Sequence, residues 1–414
     1  MNSPGELDPR GFSSARPPVM LLGGLNIARA LGLAGIPVIV ASTEAHQAAF
    51  ASRYCRGRLL LPSLENRAAA ADALLRSGER LAAGLGRRLP LFYSNDDWQR
   101  LVQDYRAELA VHFALLLNGD EVARAVIEKD LFQPLAASRG LPVPRALAWD
   151  ELEGFDRPVL IKPKTKFAWE ASSVHLRLFE RQGKARVFAN GRALLADAAA
   201  QRLRDELLIQ EYVTGDDRGL WSFHGFSDEN GRLLDWFIGR KIRTYPALTG
   251  ISTYLELAHD DEVVHLGHHV ASRLPLKGVF KIDLKRDRLT GRLRLLEVNA
   301  RYTLWHYLGA ANGVNLARTA YEYLLYGTRP AVAGRYGASC RWIYLRYDWR
   351  AYRELAARGE LSLPAWLASL GAPKVCQLFA WTDPLPFIDK LYHSVKSRLP
   401  RLTALLRRWL YTAS

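Results

Sequence analysis

Apolar and polar positions change rhythm several times along this chain, and each change marks a predicted element. PPVMLLGG is a continuous apolar strand ending in a glycine turn; LNIARALGLAG has helical spacing, and IPVIVAST is a second buried strand. Strand, turn, helix and strand in that order open a parallel α/β unit. Gly23 and Gly24 relieve the turn of Cβ clashes and let a ligand approach the helix N-terminus. They fall short of the full G-x-G-x-x-G spacing that a dinucleotide site needs. LPLFYSNDDW predicts another buried strand, then a helix capped by Asn95 or Asp96. This domain spans 18–120, behind a Ser/Pro/Gly-rich tail at 1–17 that is expected to fray.

The texture after residue 120 is different. GDEVARAVIEKDLFQPLAASRG reads as helix, RPVLIKPKTK as strand, and ELLIQEYVTGDDRG as a strand leaving into a loop. LWSFHGFSD and LLDWFIGRKIR form an antiparallel hairpin around Glu229-Asn230-Gly231, and VFKIDLKRDRLTGRLRLLEVNARY a second one turned at Thr290-Gly291. DEVVHLGHHVASRL and residues 313–326 are helices. A second domain therefore covers 121–328, and a basic helical extension covers 329–414.

Composition narrows the class. With 414 residues, 49% hydrophobic and 24% charged, the chain is a globular protein of two or three domains, neither disordered nor fibrous. Its longest apolar stretch is interrupted by Asn26 and Arg29, which argues against a membrane span. The first 18 residues hold no apolar core of a signal peptide, so none is expected. Cys55, Cys340 and Cys376 are far apart, which predicts neither disulfides nor a zinc site and fits a reducing cytoplasm. The net charge of +15 favours anionic partners. About half of that excess follows residue 330, where thirteen Lys/Arg stand against five Asp/Glu. No nucleic-acid module surrounds the scattered tryptophans, and none of the serine hydrolase, zincin or P-loop motifs occurs. His265, His268 and His269 have metal-compatible spacing but read as a solvated helix face.

The chemistry concentrates between 129 and 301. Lys129-Asp130 opens a helix, and Lys162 ends the apolar strand VLIKP, where a charge needs a partner. Glu297 and Asn299, two apart on a strand, share one face, and Asp283 lies on the strand paired with theirs. Two carboxylates and an amide oxygen suit Mg²⁺, with Mn²⁺ as its substitute. Arg240, Lys241 and Arg243 cluster at a strand end in GRKIRTYPALTGIST, a pattern that suits a phosphate or carboxylate. Plainer readings exist for each: solvated lysines, a Glu297–Arg301 salt bridge, a basic edge strand.

In this order and spacing the set resembles the ATP-grasp superfamily over residues 18–328. The resemblance implies an N-terminal parallel α/β domain, then a two-lobed fold closing on ATP. Lys129 and Lys162 would hold phosphates. Gln210, Glu211, Tyr212 and Val213 would form the adenine hinge, with Glu211 at its polar edge and Asp217 or Asp216 on the ribose. The bland alternative for that loop is a capped turn at Thr214-Gly215-Asp216. Asp283, Glu297 and Asn299 would bind the metal. Arg240 and Lys241 would stabilise an acyl phosphate, with Arg301 beside them, while Arg243, Gly23 and Gly24 would bind substrate. The family's Asn-Pro-Arg is Asn299-Ala300-Arg301 here. Its glycine-rich flap is replaced by KTKFAWEASSVH, leaving Ser172-Ser173 to cover the phosphates.

The activity implied is ATP-dependent ligation of a small-molecule carboxylate to an amine through an acyl phosphate. The rivals are an ATP-binding sensor without catalysis and a phosphotransferase that forms no amide. At the C-terminus no acid follows Asp389, whereas Lys390, Lys396, Arg398, Arg401, Arg407 and Arg408 do. Leu402, Leu405, Leu406 and Trp409 keep helical spacing behind Pro400. Residues 390–414 are thus expected either to dock on the protein's own body or to give weak attachment to an anionic membrane surface.

Overall fold

A computed structural model describes residues 7–164, 178, 185–247 and 250–396. The Ser172-Ser173 flap and the amphipathic segment from Arg398 onwards lie outside the described residues, as does the Lys129 side chain.

Three sheets are present among the described residues. The first holds β1 (Val19–Leu22), β2 (Val38–Ser42), β3 (Cys55–Leu60), β4 (Leu89–Tyr93) and β5 (Phe113–Ala114) in the order β3-β2-β1-β4-β5, all parallel. β1, β2 and β4 are buried at every position, as a sheet covered on both faces requires. The second sheet is small: β6 (Val159–Pro163), β7 (Arg186–Phe188) and β8 (Leu207–Glu211), antiparallel in the order β7-β6-β8. The third carries β9 (Leu220–Ser227), β10 (Leu233–Tyr245), β11 (Ile251–Leu257), β12 (Gly278–Arg286), β13 (Leu293–Asn299), β14 (Arg341–Ile343) and β15 (Lys374–Cys376). Its order is β13-β12-β9-β10-β11-β14-β15.

Both predicted hairpins pair as expected, with Trp236 opposite Gly225 and Asp283 opposite Glu297. The segment after Gly119 is not one helix but two, Asp120–Ile127 and Lys129–Ser138. Between them Glu128 is extended at φ −98°, ψ 107°.

Two expectations need correction. Residues 7–17 are not frayed, because Leu7 and Phe12 pack against the first domain's core. Tyr321 and Tyr326 also donate to the carbonyls of Pro17 and Ala15, at 2.9 and 2.6 Å. Nor is the extension purely helical. β14 and β15 lengthen the third sheet, and Trp342, fully buried, belongs to the main core. The short continuous apolar run Trp342-Ile343-Tyr344-Leu345 suits a buried strand as well as a helix segment.

Candidate active site

A cleft of about 530 Å³ opens where the three sheets meet. From the first domain come Gly24, Asn26 and Ser94, and from the small sheet Leu160, Lys162 and Gln210. On β6 the alternation places Val159 and Ile161 in the small lobe's own core and turns Leu160 and Lys162 to the cleft. Gln210 pairs with Leu160 in register and so shares its face.

The third sheet supplies the cleft's charged floor. Asp283 and Glu297 are direct cross-strand partners, as are Lys281 and Asn299, so all four project from one face. Asp283 is 4% exposed; it accepts from Lys281 Nζ and from Ser222 Oγ, each at 2.6 Å. Burial alone would raise its pKa. The charges of Lys281 and Lys241, with those hydrogen bonds, outweigh it and hold the carboxyl well below the usual range. Burial in turn pulls Lys281 below its ordinary value, while Asp283 and Glu297 oppose that. Lys241 also lines the cleft and has no ion-pair partner among the described residues. Glu297 is exposed to the opening and accepts from Asn299 Nδ2 at 3.2 Å.

Arg301 ties this floor to the first domain. Its Nη2 donates to Asn299 Oδ1 at 2.9 Å and its Nε to Asp96 Oδ1 at 2.5 Å. The helix Leu25–Leu33 starts beside it, with Gly24 at its N-cap and no side chain capping the free amides. The adjoining Gly23 is required sterically, since a Cβ there would lie 2.4 Å from Ser94 Oγ. One end of the cleft thus offers donors to an anion, and the middle offers hard oxygen donors flanked by lysines. Two carboxylates and one amide oxygen fit Mg²⁺.

No family model matches the chain. A D-aspartate ligase from Enterococcus faecium (strain Aus0004) is 21% identical over 297 residues, covering 68% of this chain and 69% of that protein. The N5-carboxyaminoimidazole synthetase of Staphylococcus aureus, complexed with ADP, superposes with a TM-score of 0.54 at 11% identity, over 80% of this chain and 82% of that one. An L-amino acid ligase from Bacillus licheniformis gives 0.52 at 15% identity, over 75% and 74%. The chain has the ATP-grasp fold.

Within the ATP-grasp fold, the residues singled out from sequence divide. The cleft collects Gly24, Lys162, Gln210, Lys241, Asp283, Glu297, Asn299 and Arg301. Lys129 opens its helix as expected, and Val213 is buried where the chain leaves β8.

The others point elsewhere. Arg240, next to Lys241 on β10, faces the opposite side and pairs with Glu256 at 2.6 Å. Arg243 is 4% exposed and makes two bonds of 2.8 Å to Asp348 of the extension, so it is not available to grip a substrate. Glu211 lies on the core side of β8, paired with Arg157 at 2.6 Å. Asp217 accepts from Thr244 N and Oγ1 at 2.7 and 2.8 Å and lies outside the cleft lining. Strand parity separates Arg240 from Lys241; a β-bulge after Lys241 breaks that parity before Arg243.

Sequence reasoning missed Lys281, although the K-x-D step in VFKID placed it on the face of Asp283. It also missed Ser222, which only cross-strand register brings to Asp283.

Tyr212 has a different task. Its hydroxyl accepts from Lys285 Nζ at 3.2 Å, and the ammonium lies 4.5 Å from the ring centre. Lys285 is 4% exposed, and burial pulls its pKa down to about 8 although Asp217, Asp216 and Asp287 oppose the shift. Below pH 8 both folded and unfolded chains carry this proton, so the full cost of the buried charge is present. Between 8 and 10.5 only the unfolded chain holds it, and stability rises with pH. Lys285→Met should therefore melt at a higher temperature than wild type at pH 7, with the difference shrinking from pH 8 to 10.5. A difference independent of pH would show that the lysine titrates normally.

Proposed function

We propose that this protein is an ATP-dependent carboxylate–amine ligase. One observation carries the reading: lysines from two lobes face a patch of oxygen donors across a single cleft, beside an uncapped helix N-terminus. In this reading ATP lies between Lys162 of the small sheet and Lys241 of the third, with adenine against Leu160 and Gln210. Lys129 completes the phosphate contacts from the linker helix. Mg²⁺ held by Asp283, Glu297 and Asn299 would neutralise phosphate charge, and Mn²⁺ would serve by the same donors. Lys281 keeps Asp283 ionised beforehand, so no proton has to leave when the metal enters.

Arg301 and the Gly24 amide end of the cleft receive the substrate carboxylate. A carboxylate oxygen attacks the γ-phosphorus and ADP leaves, with Lys241 offsetting the charge that develops on the transferred phosphoryl. The amine then attacks the acyl carbon; the C–N bond forms, the C–O bond to phosphate breaks, and the amine loses a proton. The protein contributes position and charge and forms no covalent bond of its own. Both the D-aspartate ligase and the L-amino acid ligase are named for amino acids, which supports an amino acid as one substrate. The setting is the cytoplasm, with weak contact to an anionic membrane through residues 390–414.

Pooled carboxylates and amines screened for ADP release, followed by mass detection of the amide, test this. ADP and amide should appear only when both pools are present. ADP formed with carboxylate alone, and no amide, would establish the phosphotransferase; tight ATP binding without ADP from any pool would establish the sensor.

A further inference from the structure

Residues 385–396 form a helix whose amphipathic sense is reversed. Its inward side carries Pro386, Asp389 and His393. Pro386 is buried, Asp389 contacts His393 at 3.5 Å, and the His393 ring lies 4.1 Å from that of His46 in the first domain. Its outward side carries Leu385, Ile388, Leu391, Tyr392 and Val395, each at least half exposed. Trp381, just before the helix, is 88% exposed. A helix that merely covered a core would turn the other way. Single exposed apolar residues need no explanation, but a continuous stripe of five beside an exposed tryptophan does.

We propose that this face docks on an anionic lipid surface. The argument is charge complementarity at the edges of an apolar stripe. Lys396 borders it on the helix itself, Lys390 is exposed on the same helix, and the next eighteen residues add four arginines and no acid. The helix's one acid, Asp389, is the residue turned inward. Trp381 and Tyr392 are the side-chain types that settle at the headgroup level, with an apolar ring and a polar edge. Each basic group near such a surface adds attraction that falls off within a Debye length, so binding must weaken with salt. A second copy is a poor occupant, because two such faces would bring the same cations together. The proposal is independent of the ligase reading.

Co-sedimentation of the full chain with phosphatidylglycerol/phosphatidylcholine vesicles tests it, with pure phosphatidylcholine as control. Binding to the anionic vesicles is expected, weakening as salt is raised. Ile388→Glu/Leu391→Glu should bind at least about tenfold more weakly, with melting temperature and ATP binding unchanged, since both side chains are exposed. Absence of binding by the full chain overturns the proposal. So does equal vesicle binding by the full chain and by the Ile388→Glu/Leu391→Glu variant, which would place the lipid contact elsewhere. A dimer that the double variant dissolves, without vesicle binding, would assign the face to a second copy instead.

Discussion

Glu297→Gln is expected to lower Mg²⁺-dependent ATP turnover by about two to three orders of magnitude while leaving the fold intact. The side chain is exposed in the cleft and its contact is the Asn299 amide, which Gln still accepts through its carbonyl oxygen. Shape is kept and one negative charge disappears from the donor set. The melting temperature should hold, as for most exposed substitutions. Asp283→Asn is a poorer probe, because Asp283 also neutralises the largely buried Lys281 and its loss confuses catalysis with stability. Activity retained by Glu297→Gln alongside a melting temperature lower by many degrees would make Glu297 a structural residue and remove it from the metal site.

Much of this site was legible because its chemistry is written at short range. Glu297 and Asn299 sit two apart on one strand, and Lys162 ends an apolar run in which only a paired or ligand-facing charge is tolerated. The two hairpins announce themselves by alternation and by Asn-Gly and Thr-Gly turns, so the pairing of Asp283 with Glu297 followed from them. What failed depended on parity or on distant partners. Arg240, Lys241 and Arg243 look alike in sequence, yet a one-residue step and a bulge send them to Glu256, the cleft and Asp348. Asp217 looks like a ribose ligand until Thr244, far along the chain, takes its carboxylate. The same holds for Asn26 and Arg29, which interrupt an apolar helix without any local reason. Their partners are in the extension: Gln377 and Trp342 for Asn26, Asp383 for Arg29.

Those two residues set the second large effect, on stability. Arg29 and Asp383 form an ion pair at 2.9 Å with both side chains fully buried. Arg29 also donates to the carbonyls of Leu378 and Asp383 at 2.7 and 3.0 Å, and Asp383 accepts from Ser52 Oγ and Arg53 N, both at 2.8 Å. Asp383→Ala strips the charge from a buried arginine and orphans a hydroxyl and an amide together. Losing one member of a buried pair costs about 3–5 kcal/mol, so melting should fall by roughly 4–6 °C. Arg29→Met/Asp383→Ala should recover part of that loss, because no charge is then left buried and unpaired. The effect should reach the cleft: Asn26, one turn before Arg29, lines it and is held by the same extension. Limited proteolysis of Asp383→Ala should therefore release the extension first, and ATP should bind more weakly. An Asp383→Ala protein that melts within a degree of wild type would show that the extension is held by Trp342 and the sheet alone.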